Sequence, residues 1–140
     1  MTIQAKSVTT LLEVFDMPRS IAFYRDQLGF EVVQTSHPGG DFSWALLRLD
    51  GGELMLNAAY DEGERPPEPD RGRLAAHGDT ALFFQCPDLD AAYRHLRAKG
   101  VPVEEPVLRE YGMMQLSLTD PDGFRLCFQW PATGATNGPG

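Results

Sequence analysis

Two stretches of the sequence, Val14–Phe30 (VFDMPRSIAFYRDQLGF) and Cys86–Val101 (CPDLDAAYRHLRAKGV), repeat one pattern and decide the fold. Each has an aspartate near its start, apolar residues at helical spacing and a glycine near its end. An aspartate side chain caps the first turn of a helix, and glycine adopts the left-handed conformation that ends one. The two aspartates are 72 residues apart and the two glycines 71, at Asp16 and Asp88 and at Gly29 and Gly100. This spacing predicts a tandem duplication.

Strand-like segments surround each predicted helix in the same order. The first copy has strands at Thr9–Val14, Phe30–Gln34, Phe42–Leu49 and Glu53–Asn57. The second copy has strands at Thr80–Cys86, Val101–Glu104, Met113–Thr119 and Phe124–Trp130. We therefore predict one α+β domain over residues 1–140, built from two βαβββ modules at about 8–57 and 80–130. Residues 58–79, rich in proline and charge, are predicted to be a linker or mobile flap, and residues 133–140 a disordered tail.

Composition limits the classes of function. The chain has 140 residues, 42% of them hydrophobic, and a formal net charge of −8. This charge disfavours nucleic-acid binding and favours cationic ligands. No apolar run is long enough to span a membrane, and Met1–Ser7 lacks the apolar core of a signal peptide, so we expect a cytoplasmic protein. Two cysteines, Cys86 and Cys127, do not form a disulfide framework.

The helix and turn motifs resemble those of a known family. The string Val14-Phe15-Asp16, followed by Phe23-Tyr24-Arg25-Asp26 and Leu28-Gly29-Phe30, resembles the first strand–helix signature of the vicinal-oxygen-chelate superfamily, the glyoxalase, bleomycin-resistance and dioxygenase-like proteins. Asp120-Pro121-Asp122-Gly123 is similar to the superfamily's last hairpin. The resemblance implies that the modules curl into a mixed sheet, shaped as a cup with helices outside, and that the chain forms a homodimer.

The resemblance also implies where a metal would bind. Enzymes of the superfamily hold a divalent ion with His, Glu or Gln side chains on the first and fourth strands of each module. The corresponding positions here are Thr9, Met55, Ala81 and Cys127. None is a histidine or a carboxylate, and a shift of two residues would supply only Glu53. We therefore predict no metal, no cofactor and no catalytic residue, and we interpret His77 as a surface loop residue rather than a ligand.

Side-chain alternation along the strands predicts what lines the cup instead. Apolar residues such as Leu12, Leu54 and Leu126 should face the helices. The opposite face should carry aromatic, sulfur and amide groups, which is typical of a small-molecule pocket. The predicted ligand-binding residues are Trp44, Glu53, Met55, Asn57, Phe83, Tyr111, Met113, Gln115, Arg125, Cys127 and Gln129. Several have other interpretations: Trp44 as core, Tyr111 as a hairpin residue, Cys127 as an inert buried thiol, and Arg125 as an ion-pair partner of Glu53 or Glu13.

These observations favour one function and leave others open. The favoured hypothesis is a small-molecule-binding protein, similar to bleomycin-resistance proteins, that sequesters an aromatic or cationic compound without catalysis. A glyoxalase-like lyase or dioxygenase with a divalent metal in the cup is one alternative. Another is a metal-independent enzyme with Glu53 or Glu13 as the base and Arg125 stabilising an oxyanion. A structural or regulatory module, its cup filled by its own side chains, is the last.

Overall fold

The computed structural model describes residues 2–61 and 63–132, and the predicted disordered tail lies outside them. It divides into two compact units, the first ending at Pro67 and the second beginning at Glu68. The first unit contains β1 (Thr10–Val14), α1 (Met17–Ile21), β2 (Glu31–Thr35), β3 (Trp44–Leu49) and β4 (Gly52–Ala58). The second contains α2 (Arg71–His77), β5 (Ala81–Gln85), α3 (Leu89–Ala98), β6 (Val107–Leu108), β7 (Met113–Thr119) and β8 (Arg125–Pro131).

Each unit has one four-stranded mixed sheet. The first sheet has the order β1-β4-β3-β2 and the second the order β5-β8-β7-β6. In both, the first strand of the unit pairs in parallel with the last, and the other neighbours are antiparallel. The predicted α+β class and the repeated βαβββ order are therefore confirmed. No helix among the described residues is long and apolar enough to cross a membrane.

The first helix begins where the sequence predicts. The Asp16 side chain accepts a hydrogen bond from the Arg19 backbone N–H at 3.2 Å, and Pro18 occupies the first turn, where a missing N–H costs nothing. The helix continues as a π-helical segment, Ala22–Gln27, and Gly29 follows with φ of 97°. Tyr24 is fully buried, with the rings of Phe23 and Phe30 edge-on to it.

One face of each sheet forms the core of its unit. The predicted helix-facing residues of the first sheet are all buried: Leu12, Val14, Ala45, Leu47, Leu54 and Leu56. In the second sheet Leu126 and Phe128 are buried, and the Phe128 ring stacks on Phe84 with centroids 4.7 Å apart. The alternation of the sequence therefore predicts the buried face of the first sheet correctly. In the second sheet it holds for β8, whereas Leu82 and Phe84 of β5 are half-buried.

The segment predicted as a linker contains a helix. Asp70 begins α2, because its Oδ1 accepts hydrogen bonds from the backbone N–H groups of Gly72 and Arg73 at 2.9 and 3.4 Å. The prolines before Asp70 obscured this helix in the sequence, although an aspartate before a helical run is a known start signal. Residues from Glu68 onward belong to the second unit.

The strand predicted at Val101–Glu104 is wrong. The residues do not pair with β7, and the edge strand is instead β6, where Val107 lies opposite Gln115 and Leu108 opposite Met114. Pro102 has no N–H to donate to a ladder, so it breaks pairing there. Val101 and Val103 are both buried, and their alternation imitates a strand in the sequence although they serve as core side chains.

Candidate functional site

The residues predicted to bind ligand lie mainly on the faces of the two sheets opposite the core, and we call these the open faces. On the first sheet the register brings Trp44 opposite Asn57, and both Leu11 and Leu46 opposite Met55. On the second it brings Phe83 and Ser117 opposite Cys127, and Gln85 and Gln115 opposite Gln129. The strand alternation of the sequence therefore assigns these side chains to one side of their own sheet.

The open face of the first sheet is held by polar pairs. The Asn57 amide donates from Nδ2 to Glu13 Oε2 at 2.8 Å, across paired positions of β4 and β1. The Arg48 guanidinium donates to Glu53 Oε2 at 2.6 Å, across β3 and β4. Trp44 and Met55 between them are half-buried. Glu53, proposed as a general base in one alternative, is thus an acceptor in an ion pair.

A line of hydrogen bonds crosses the open face of the second sheet. Arg109 Nε donates to Gln115 Oε1 at 3.1 Å, and Gln115 Nε2 donates to Gln129 Oε1 at 3.0 Å. Gln115 is 7% exposed, and both its amide oxygen and its amide nitrogen are used. A buried amide with a hydrogen bond at its oxygen and another at its nitrogen has a fixed orientation. The Arg109 side chain is therefore anchored beside this amide pair.

Beside the amides, Phe83, Cys127 and Ser117 form the next row of the same face. Phe83 is 54% exposed, whereas Cys127 is 5% exposed. A cavity of about 210 Å³ opens there, lined by Ala81, Phe83, Arg109, Gln115, Ser117, Leu118, Thr119, Arg125, Leu126 and Cys127. The arrangement places an exposed aromatic ring, a hydroxyl, a thiol and two guanidinium groups around one small space.

The surroundings of the Cys127 thiol have opposing effects on its pKa. Burial raises the pKa of the thiol above its ordinary value of 9.0. The hydrogen bond with Ser117 and the positive charges of Arg109 and Arg125 oppose that effect. Because the net shift of the pKa is upward, the thiol is protonated at neutral pH, which agrees with the interpretation as an unreactive group.

Within the second unit, Arg125 is held by a backbone carbonyl group. Its Nε donates to the Gly78 carbonyl oxygen at 2.9 Å, while Glu53 pairs with Arg48 and Glu13 accepts from Asn57. Arg125 follows the turn after Asp120, and the short loop after α2 passes beside it. This loop fixes the guanidinium next to the cavity.

Two predicted residues lie at the end of the second sheet. Met113 begins β7, opposite Pro131, and is half-buried. Tyr111 lies in the turn between β6 and β7, where the Gly112 N–H donates to the Arg109 carbonyl at 2.9 Å, and is 66% exposed. Tyr111 is therefore a hairpin residue by position. It lies next to the chain segment that carries Arg109 but is not among the residues that line the cavity.

The four positions that would hold a metal in the superfamily do not fit one. Thr9 precedes β1, and Met55, Ala81 and Cys127 lie on the open faces of their sheets. Together they offer a hydroxyl, a thioether, a methyl group and a protonated thiol, a poor donor set for hard divalent ions. Among the described residues no three His, Cys, Asp or Glu side chains form a group that could hold an ion.

His77 is neither an exposed loop residue nor directed to the open face. It ends α2, and its ring stacks on Phe124 with centroids 3.9 Å apart. Its Nδ1 donates to the Asp122 carbonyl oxygen at 2.6 Å. The imidazole therefore attaches α2 to the turn between β7 and β8. The interpretation of His77 as a surface loop residue needs this correction.

Sequence reasoning missed three polar residues of the open faces: Arg48, Arg109 and Ser117. Arg48 and Ser117 continue an alternation already recognised, two residues after Leu46 and Gln115 respectively, so extending the strand pattern would have found them. Arg109 was hidden by the error at Val101–Glu104. Only the true edge strand, at Val107–Leu108, brings the following arginine beside Gln115.

Comparisons with known proteins give a consistent result. A model of the family described as the Glyoxalase/Bleomycin resistance protein/Dioxygenase superfamily matches residues 6–128. A lactoylglutathione lyase of Haemophilus influenzae is 31% identical over 132 residues, which cover 85% of this chain and 87% of the relative. The structure of TnmS3, an antibiotic binding protein from Streptomyces sp. CB03234, is 25% identical with a TM-score of 0.63, over 93% of this chain and all of that one.

A second solved structure has the same fold at lower identity. It is a bleomycin resistance determinant encoded on the transposon Tn5, 24% identical with a TM-score of 0.67. The match covers 91% of this chain and 98% of that chain. At this identity the similarity shows that the two chains share a fold.

Proposed function

The chain belongs to the Glyoxalase/Bleomycin resistance protein/Dioxygenase superfamily, and from that premise we propose that it binds a small aromatic compound and releases it chemically unchanged. The ligand-binding residues are the aromatic, sulfur and amide side chains of the open faces. The proposal excludes the divalent metal of the superfamily's enzymes, because Thr9, Met55, Ala81 and Cys127 are a poor donor set for such an ion.

One observation carries this proposal, the exposed ring of Phe83. It stands in the open face of the second sheet, 54% exposed, at the edge of a cavity and beside a hydrogen-bonded pair of amides. Exposure of an aromatic ring to water is unfavourable, so a ligand that stacks on the ring and covers it gains binding free energy. The fixed amides Gln115 and Gln129 give such a ligand a polar edge without the need to reorganise. Apolar walls with a few convergent polar groups are the usual make-up of small-molecule sites.

A relative supports binding without catalysis. TnmS3, 25% identical over 93% of this chain, is described as an antibiotic binding protein. Binding by itself is a sufficient function for a protein of this kind, because a compound held in a site is removed from its target. Which compound fits this chain is determined by the residues that line its own cavity.

A metal-dependent lyase is the second candidate, favoured by the 31% identity to the Haemophilus influenzae lactoylglutathione lyase. This candidate requires metal ligands at positions other than the family's usual ones. Titration with zinc, nickel, manganese and ferrous ions separates the two candidates. Binding of one ion per chain at micromolar affinity would favour the lyase, and the absence of binding would favour a metal-independent protein.

The first test of the proposal is a screen of two-ring and three-ring aromatic compounds, anionic, neutral and cationic, by thermal unfolding. We expect at least one class to stabilise the protein, by about 2.7 kcal/mol at a hundredfold excess over Kd. Mass spectrometry of the recovered compound should show it unchanged. If no compound in the panel stabilises the protein, or if the bound compound is converted, the proposal fails.

Phe83→Ala provides the variant test, with Leu108→Ala as its matched control. Both side chains are exposed apolar groups of the second unit, at 54% and 60%, so neither truncation should cost much stability. Leu108 lies opposite Met114, on the other face of the sheet. Phe83→Ala should weaken binding about tenfold, from loss of the stacking platform. Leu108→Ala should leave binding unchanged.

We also propose that the chain pairs with a second copy. Leu11, on the open face of the first sheet opposite Met55, is 44% exposed. Apolar side chains that form a patch on a sheet face mark an interaction surface, and Leu11 with Met55 would form such a patch. Pairing of two copies through this face would remove Leu11 from water.

A further inference from the structure

The cavity on the open face of the second sheet has an unusual charge balance. Its lining contains Arg109 and Arg125, and its other members are apolar or uncharged polar residues: Ala81, Phe83, Gln115, Ser117, Leu118, Thr119, Leu126 and Cys127. Among the residues that the structure describes, no carboxylate lines this cavity. The whole chain carries a formal net charge of −8, so the two positive charges here run against the general balance.

Both guanidinium groups are held by their Nε atoms. Arg109 Nε donates to Gln115 Oε1, and Arg125 Nε donates to the Gly78 carbonyl oxygen, at 3.1 and 2.9 Å. A guanidinium has five N–H donors in a planar fork, so an Nε bond orients the plane and leaves the terminal nitrogens available. Neither arginine forms an ion pair with a carboxylate of the described residues of the second unit.

Both arginines lie close enough to the Cys127 thiol on the cavity wall to affect its pKa. The charges of Arg109 and Arg125 both lower the pKa of this group, against the larger effect of burial. The two arginines therefore act on the same wall of the cavity, although they come from different strands and loops.

The aromatic platform and the charges define one class of ligand. We propose that Arg109 and Arg125 form an anion subsite, so that the compound bound on Phe83 is an aromatic acid whose carboxylate meets the two guanidinium groups. Guanidinium groups pair with carboxylates through short, charge-assisted hydrogen bonds. At about 210 Å³, the cavity is smaller than the range of drug-sized pockets, which suits one or two fused rings and their acid group.

The inference deepens the proposed function and rests on it, and it replaces the cationic ligand that net charge alone suggests. A larger cavity of about 790 Å³ shares Arg109, Gln115 and Ser117 with this one. It also has Glu104 and Glu105 in its lining, so its charge is mixed. We therefore place the acid group of the ligand in the smaller cavity.

Three compounds of the same shape test the charge preference by calorimetric titration: 2-naphthoate, 2-naphthamide and 2-naphthylmethylammonium. We expect 2-naphthoate to bind at least about tenfold more tightly than the neutral amide, and the cation to bind most weakly. Equal affinities for all three would leave the proposed function standing and overturn the anion subsite. Failure of all three to bind, at concentrations where other aromatic compounds of the screen bind, would also overturn the subsite.

Variants that each remove one positive charge test which arginines cause the preference for the anionic compound. Arg109→Gln and Arg125→Gln should each reduce the affinity for 2-naphthoate about tenfold and leave that for 2-naphthamide almost unchanged. Arg94→Gln is the matched control, since Arg94 is an exposed residue of α3 outside both cavities, and it should change neither affinity. A similar loss for 2-naphthoate in all three variants would show that general charge acts, and would overturn the assignment to this pair.

Discussion

Gly123 shows how a single residue positions the second sheet. It lies in the turn that precedes β8, with φ of 92°, in the region that side chains rarely adopt. A Cβ atom at Gly123 would clash with the Leu74 carbonyl oxygen of α2. Asp120 supports the same turn, since its Oδ1 accepts from the N–H groups of Asp122 and Phe124 at 2.8 and 2.9 Å. The turn is therefore fixed from within and against the helix.

We predict that Gly123→Ala is more destabilising than an alanine at a comparable glycine. Gly39 has a similar φ of 94°, but no atom of the described residues lies within 4 Å of where its Cβ would be. Gly39→Ala should cost about 1 kcal/mol of unfolding free energy, the cost of the backbone conformation alone. Gly123→Ala should cost about 3 kcal/mol, because the backbone of α2 must also move. Urea unfolding of both variants measures the difference, and equal losses would contradict the clash.

The Cys127 thiol gives a prediction about pH. Burial, the largest effect, raises its pKa above 9.0 in the folded protein, so the unfolded thiol loses its proton first as the pH increases. The contribution of this group to the unfolding free energy is therefore fully present below about pH 9 and decreases above it. Between about pH 7 and pH 10.5 the wild type should lose more stability than Cys127→Ala. Parallel curves for the two proteins would contradict the raised pKa.

Residue identities predicted much of the site and missed part of it. The alternation of Leu54, Met55 and Leu56 assigned each side chain to the correct face, because the period of a strand is fixed by its backbone. The charge of the cavity did not follow from that rule, since Arg109 comes from a loop. Loop residues reach a site through the path of the chain, and no local period encodes that path.

At the scale of elements, α2 is the part of the fold that the sequence obscured. Its attachment uses one histidine, with the His77 ring stacked on Phe124 and Nδ1 donating to the Asp122 carbonyl at 2.6 Å. None of the residues of this short helix is buried. A helix of this length has little stability of its own, so contacts with the turn hold it in place.

We predict that His77→Ala weakens the attachment of α2 and that His77→Phe restores part of it. The alanine removes both the stack and the hydrogen bond, whereas phenylalanine keeps an aromatic ring against Phe124. Amide hydrogen exchange in residues 71–77 should become about tenfold faster or more in His77→Ala, with an intermediate rate in His77→Phe. Unchanged exchange in His77→Ala would show that the histidine does not hold the helix.

The failure of the strand prediction at Val101–Glu104 has a related cause. Two buried valines at alternate positions satisfy the pattern of a strand, yet Pro102 stands between them without an N–H. By contrast, the aspartate and glycine signals at both helices held, because caps and left-handed glycines depend on neighbouring backbone only. Local rules predicted the local elements, and the edge of the sheet required knowledge of tertiary pairing.

At the scale of the whole molecule, the net charge of −8 and the basic cavity oppose each other. The field of the whole chain repels an anionic ligand at long range, and salt screens it over about 8 Å at physiological ionic strength. Inside the cavity the two arginines act over a few ångströms, so contact forces determine the affinity there. The sign of the net charge therefore predicts solubility and association rates better than it predicts the ligand.

The proposed pairing of two copies gives the last prediction. Light scattering on a sizing column should give a mass twice the 15.5 kDa of one chain. Leu11→Asp should return the mass to that of one chain, because an interface that covers this position would bury an unpaired carboxylate at a cost of several kcal/mol. Ile3→Asp, at a residue that is 94% exposed and precedes β1, adds the same charge and should leave the dimer intact. A dimer that survives Leu11→Asp would place the interface elsewhere, and a wild type with the mass of one chain would leave the open faces to the ligand alone.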